Sequence, residues 1–179
     1  MKWLIASDIH GSLYYGKKLI EQIKKEEPDK VIFLGDILYH GPRNDLPNDY
    51  NPKELIKLLN EYKDKIISVR GNCDSEVDQM VLEFPIMADY MILTINDLTI
   101  FATHGHLYDV ENIPFKGIDV VLSGHTHVQK CDKYDNYVHM NPGSVSIPKE
   151  NSYHGYMVVV DKVFYWKDLE GNIINKFEC

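Results

Sequence analysis

The sequence predicts an α/β fold in a single domain, residues 1–179, with two sheets packed together and helices outside. Three observations carry that prediction. Up to Asn72, short apolar runs alternate with amphipathic stretches, the pattern of parallel strands covered on both faces. Beyond Tyr90 the helical period gives way to a succession of strand-like runs. At 179 residues, 44% of them hydrophobic, the chain can bury one substantial core.

The elements follow in order. Trp3 to Ala6 is a short apolar strand that stops at Ser7-Asp8. Leu13 to Glu27 reads as a helix, with Leu19, Ile20 and Ile23 at helical spacing and Lys/Glu opposite. Pro28-Asp29 ends it. Val31 to Leu34 is a buried strand stopping at Gly35-Asp36, and a polar loop with Pro42, Pro47 and Pro52 leads to a second helix over Lys53 to Tyr62. Ile66 to Val69 is a third strand, closed by Arg70-Gly71-Asn72. Tyr90–Ile95 and Leu98–Thr103 form a hairpin turned by Asn96-Asp97. Ile118–Leu122 is another buried strand. Gln129–Tyr134, Tyr137–Met140, Tyr156–Val160 and Val163–Asp168 complete a β-rich half, with Gly171-Asn172 as a late turn.

Composition excludes several classes. A net charge of −8 lacks the basic stripe with which a protein tracks a nucleic-acid polymer. It is compatible with a small phosphorylated substrate, because bound divalent ions would reverse the local field. No apolar stretch approaches the ~20 residues of a membrane helix. Met1 is followed at once by a charged residue and a short strand, so no signal peptide is expected. Cys73, Cys131 and Cys179 are odd in number and widely spaced, which suits a reducing, cytoplasmic compartment. Oligomeric state, a homo-oligomer included, is left open.

Chemistry gathers where strands end. In an open α/β sheet, ligands bind beyond the carboxyl ends of the strands. Asp8 and His10 follow the first run, Asp36 the second, Asn72 the third, His104 the Leu98 run, and His125 with His127 the Ile118 run. Two carboxylates, four imidazoles and one amide suffice for two metal ions sharing a bridging ligand. Gly11, Gly35, Gly71, Gly105 and Gly124 stand beside them and permit close backbone approach. The two rings of His125-x-His127 would face one side of an extended segment, or in a loop serve either of two adjacent ions.

Read in order, Asp8-x-His10, Gly35-Asp36, Gly71-Asn72, the strand-end His104 and Gly124-His125-x-His127 resemble the calcineurin-like metallophosphoesterase family. The likeness runs from Asp8 to the Asn141-Pro142-Gly143-Ser144 turn. Through Gly71-Asn72-Cys73-Asp74 it is most similar to the small YfcE-type phosphodiesterases. The resemblance implies a four-layer α-β-β-α sandwich. It implies one ion held by Asp8, His10 and His127, another by Asn72, His104 and His125, and Asp36 bridging both. It also implies hydrolysis of a small phosphodiester by a hydroxide bridging the two ions. Ions about 3.5–4 Å apart clamp the attacking oxygen and the developing charge, and bring the pKa of water from 15.7 towards about 7. Four imidazoles favour Mn, Fe, Co, Ni or Zn over Mg or Ca, and the family favours Mn2+.

Catalytic roles then fall to Asp36, Asn72, Cys73 and His104. Cys73 departs from the many relatives in which a histidine at that position protonates the leaving group. A thiol with a pKa of about 8.5 beside cations would be a poor acid, favouring diesters with activated leaving groups. Arg43 is a candidate phosphate contact, Asp74 a support for the Asn72 loop, and His106 a substrate contact or a support for a ligand. His139 and His154 are read as structural. The alternatives are a phosphomonoesterase or nucleotide pyrophosphohydrolase on the same site, or a non-catalytic interaction scaffold such as the retromer subunit of this fold.

Overall fold

A computed structural model describes residues 1–179. Eleven strands form two mixed sheets. The first has the order β11-β10-β9-β1-β2-β3, from β1 (Lys2–Ala6), β2 (Lys30–Phe33), β3 (Ile66–Ser68), β9 (Gly155–Val160), β10 (Val163–Asp168) and β11 (Ile173–Glu178). The second has the order β4-β5-β6-β8-β7, from β4 (Tyr90–Ile95), β5 (Leu98–Thr103), β6 (Val120–Leu122), β7 (Gln129–Lys133) and β8 (Val138–Pro142). Parallel pairing is confined to β1-β2-β3 and β5-β6-β8. These strands carry the loops of the candidate site.

Strand alternation sorts the side chains into layers. Trp3 and Ile5 of β1 face Ile100, Val120, Leu122 and Met140 across the seam between the sheets, while Leu4 and Ala6 face the helices. Those helices are α1 (Leu13–Glu26) and α2 (Pro52–Asn60), which seal the outer face of the first sheet with Leu19, Ile20, Ile23, Leu55 and Leu59. Ser12 caps α1, its hydroxyl accepting from the Tyr15 N–H at 3.3 Å, an interaction typically worth ~1 kcal/mol. No helix of the structure is long and apolar enough to cross a membrane.

The expected layering is therefore present, with one difference in its fourth layer. The outer face of the second sheet (Phe101, Val121) is covered by Tyr108, Ile113 and Ile118 from the irregular segment 104–118, not by a helix. Two elements had no counterpart in the reading above. α3 (Glu76–Gln79) is a single turn held by a capping box between Ser75 and Asp78. Strand β11 is an exposed edge. The Asn96-Asp97 turn is as expected, with φ of 46° and 68°, the double positive φ of a tight hairpin.

Candidate metal centre

The parallel strands of both sheets end at one place, and the chain turns sharply there. Asp8, His10, Asp36, His125 and His127 have φ of 58°, 50°, 56°, 66° and 62°. The left-handed region disfavours side chains, but Asp and His tolerate it better than most. The ligand-type residues share the turn with their flanking glycines, since Gly11, Gly35 and Gly105 also have positive φ, of 76°, 92° and 106°. Gly71 and Gly124 are needed for a different reason: a Cβ on Gly71 would lie 2.1 Å from Asp36 Oδ1, and one on Gly124 1.9 Å from Ser7 Oγ.

The seven residue types read from the sequence come together. His127 Nε2 lies 3.3 Å from Asp8 Oδ1 and 3.1 Å from His10 Nε2. His104 Nε2 lies 3.1 Å from Asn72 Oδ1 and 3.2 Å from His125 Nδ1. Asp36 Oδ2 sits between the two groups, 3.7 Å from His10 Nε2 and 3.5 Å from His104 Nε2. The His-x-His segment is a loop, and its rings go to different groups. Three overlapping sets of donors lie within 4.8 Å of one another: Asp8/His10/His127, Asp8/Asp36/His104 and His10/Asp36/Cys73.

Hydrogen bonding makes this a cation nest. His10, His104 and His127 each donate Nδ1–H to a backbone carbonyl, of Tyr39 (2.8 Å), Leu34 (2.6 Å) and Ile147 (2.6 Å). In a neutral imidazole the other nitrogen is then a bare lone pair. The Nε2 atoms of His10 and His127 accordingly point lone pairs at each other, and His104 Nε2 faces the Asn72 carbonyl oxygen. Asp8 Oδ1 is buried among them with no hydrogen-bond partner. Acceptors that converge on acceptors, with a buried carboxylate oxygen left over, lack a positive charge between them. A backbone carbonyl behind each imidazole is the usual support of a metal-binding histidine.

The electrostatics agree. Burial works against the Asp8 and Asp36 carboxylates, yet His127 and His104 hold both below the ordinary carboxylate range. Burial likewise opposes protonation of His104, but Asp36 and Asp8 overcome it and raise this ring to about 9. The nest thus favours a cation at its centre even when the cation is a proton. Burial lowers His10 and His125. It also pushes the Cys73 thiol well above its usual range, with Asp36 adding to the effect.

The flanking residues divide. Asp74 accepts from the N–H groups of Asp36 (2.8 Å), Ile37 (2.9 Å) and Gly71 (2.8 Å), so it joins the Asp36 and Asn72 loops. Burial still raises it to about 6. Cys73 donates its N–H to Asp36 Oδ1 at 2.8 Å, and its Sγ is 3.2 Å from Asn72 Nδ2. His106 stacks edge-on to His104 with ring centres 5.3 Å apart, and burial lowers it to about 4. The Asn141-Gly143 turn lies behind the His-x-His loop, with Asn141 Nδ2 donating to Gly124 O at 2.7 Å. Ser144, the last residue of that turn as read from the sequence, and Ser146, which did not stand out there, both donate to the Asp8 carbonyl, at 2.8 and 3.1 Å. His139 bonds Ser123 (2.8 Å) and His154 the Val145 carbonyl (2.9 Å), both away from the nest.

The nest opens into a cleft of about 350 Å³. Asn72, Cys73, His125 and His127 form its inner wall; Arg43, Asn44 and Lys149 stand around it. Arg43 was a candidate from the sequence. Lys149 was not, and only its position reveals it: its N–H bonds the His127 carbonyl at 3.1 Å, which brings this exposed lysine to the rim.

Comparison with known proteins places this arrangement in context. A family model described as the calcineurin-like phosphoesterase superfamily domain matches residues 1–162. Phosphodiesterase YfcE of Escherichia coli is 47% identical over 150 residues, covering 83% of this chain and 82% of that protein. A solved structure of the E. coli YfcE phosphoesterase superposes with a TM-score of 0.94 at 42% identity, over 99% of this chain and 98% of that one. Phosphodiesterase MJ0936 of Methanocaldococcus jannaschii is 31% identical, over 80% of this chain and 83% of its own length. Vacuolar Protein Sorting 29 of Cryptosporidium parvum shares the fold alone, with a TM-score of 0.64 at 16% identity over 99% of this chain and 98% of that one.

Proposed function

This chain belongs to the calcineurin-like phosphoesterase superfamily, and from that membership we propose that it is a metal-dependent phosphodiesterase acting on a small phosphodiester. The observation that carries the proposal is the set of imidazole lone pairs turned on one another around the unpartnered Asp8 Oδ1. We assign Asp8, His10 and His127 to one ion, Asn72, His104 and His125 to the other, and Asp36 to both. Two divalent ions, Mn2+ first among them, would supply a bridging hydroxide at neutral pH and compensate charge on the phosphoryl oxygen.

The residues themselves do the rest. The Tyr39, Leu34 and Ile147 carbonyls fix three rings with a proton on Nδ1, so no ring has to reorient as the ligand set assembles, and His104, raised to about 9, would give up its Nε2 proton when the cation enters. Asp74 keeps the Asp36 and Asn72 loops in register. The cleft volume, at the lower end of the roughly 300–1,000 Å³ of ligand pockets, favours a small substrate. Cys73 stands beside the nest, its Sγ 3.2 Å from Asn72 Nδ2, and so offers no imidazole there to protonate a poor leaving group. Its position supports a preference for diesters whose leaving group needs little protonation.

The test is hydrolysis of a bis-aryl phosphodiester and the matching monoester by metal-stripped protein, with each divalent ion added back. Metal-dependent cleavage favouring the diester is expected, with manganese restoring more than magnesium. Absence of cleavage with metal demonstrably bound would overturn the proposal in favour of a scaffold. A preference for the monoester would move the activity to phosphomonoesters.

A further inference from the structure

The cleft has more positive charge than a simple phosphodiester can use. Arg43 comes from the loop after β2, and Lys149 from the segment after the Asn141-Gly143 turn, so two loops of distant sequence bring cations to one opening. Neither enters an ion pair, although six other Lys and Arg side chains do. The chain has 27 acidic residues against 19 basic ones, so a cleft lined by two cations and one carboxylate runs against the net charge of the molecule. Asp45 and Glu150, their acidic neighbours in sequence, do not line the cleft; Asp36 alone contributes a carboxylate to it.

Charge accounting assigns the pair a partner. Resting on the phosphodiesterase reading above, two divalent ions would be balanced by the carboxylates of Asp8 and Asp36, one hydroxide and the single negative charge of a diester. Arg43 and Lys149 are then left over, with two positive charges and nothing in the scissile group to meet them. Of the residues lining the cleft only one is hydrophobic, so no apolar or aromatic wall receives the rest of the substrate. We infer that Arg43 and Lys149 form a subsite for a second anionic group, and that the preferred substrate is a small phosphodiester bearing a phosphate monoester. A phosphate monoester carries a charge close to −2 at pH 7, matching the pair, and Arg meets its oxygens with two parallel N–H donors.

The experiment compares p-nitrophenyl 3-hydroxypropyl phosphate with p-nitrophenyl 3-phosphopropyl phosphate, which differ only by the terminal phosphate. In the manganese-loaded protein the second phosphate should raise kcat/KM roughly 10- to 30-fold, the size of two exposed charge contacts. In Arg43→Met/Lys149→Met that ratio should fall towards one, and Lys149→Arg should retain it. Calorimetry supplies a readout independent of turnover: propane-1,3-diol bisphosphate should bind more tightly than propyl phosphate, and the double variant should lose that difference. Equal kcat/KM for both diesters in the wild type, or a ratio unchanged in the double variant, would overturn the subsite and leave the phosphodiesterase reading standing. Cleavage of neither diester with metal bound would instead overturn the phosphodiesterase reading, while the calorimetric difference would still report on the subsite.

Discussion

The two halves of the nest differ in depth. Asp8, His10 and His127 are almost fully buried, at 0%, 0% and 2% exposure, and two of their rings are locked to backbone carbonyls. In the other half only His104 is comparably buried, while His125 is half-buried and Asn72 is exposed. His125 also turns Nδ1 inward, without a carbonyl behind its other nitrogen. The lesson is a division of labour. On the assignment proposed above, the deep half would retain its cation, while the open half, together with His127, borders the cleft from which a substrate would approach. Asp36 belongs to both.

Breaking the shared Asp36 or the deep His127 should have the largest effect. Asp36→Asn or His127→Ala is expected to reduce turnover by more than the roughly 100-fold that loss of an outer supporting group costs, with the fold retained by circular dichroism. Near wild-type rates would refute the site assignment. Next comes the open half alone. His125→Ala should weaken one ion by more than the roughly 100-fold of an outer supporting group and leave the other in place, so that metal analysis after mild dialysis finds one ion per chain rather than two. Equal loss of both ions would erase the distinction between the halves. Cys73→His should shift the monoesterase-to-diesterase ratio upward several-fold, and an unchanged ratio would remove Cys73 from the account.

The smallest effect lies outside the nest and serves as its control. Glu26 pairs with Lys2 at 2.5 Å and with Lys167, and although burial opposes it, these lysines hold its carboxyl below its ordinary 4.5. A depressed carboxyl contributes stability above its unfolded value and loses it as the pH falls through the folded one. Glu26→Gln should therefore cost about 1 kcal/mol at neutral pH and progressively less below pH 4.5, read from urea melts, with turnover unchanged. A constant cost across that range would show that the ion pairs contribute nothing.

Much of this was legible in the sequence. Strands β1, β2, β3 and β5 announced themselves as apolar runs, and the ligand types stood at their ends because a sheet of this kind collects chemistry there. What escaped was of three physical kinds. Strand β11 begins with Ile173 and Ile174 side by side, 58% and 53% exposed, so it lacks the alternation of a half-buried strand. Helix α3 is too short for any period to appear. The carbonyls that orient the imidazoles belong to Leu34, Tyr39 and Ile147, and a backbone oxygen has no identity in a sequence. Lys149 escaped because an exposed lysine looks the same wherever it points.

The nest also sits on the seam of the molecule. Asp8, Asp36 and Asn72 follow strands of the first sheet, and His104, His125 and His127 follow strands of the second. Residues 8 and 127 are distant in the chain and belong to different sheets, so the ligand set is complete only where the two sheets are docked. Any ion they share acts as a rivet between two separately built plates. Its capture would certify that the plates are in register, and its affinity would add to the work of prying them apart.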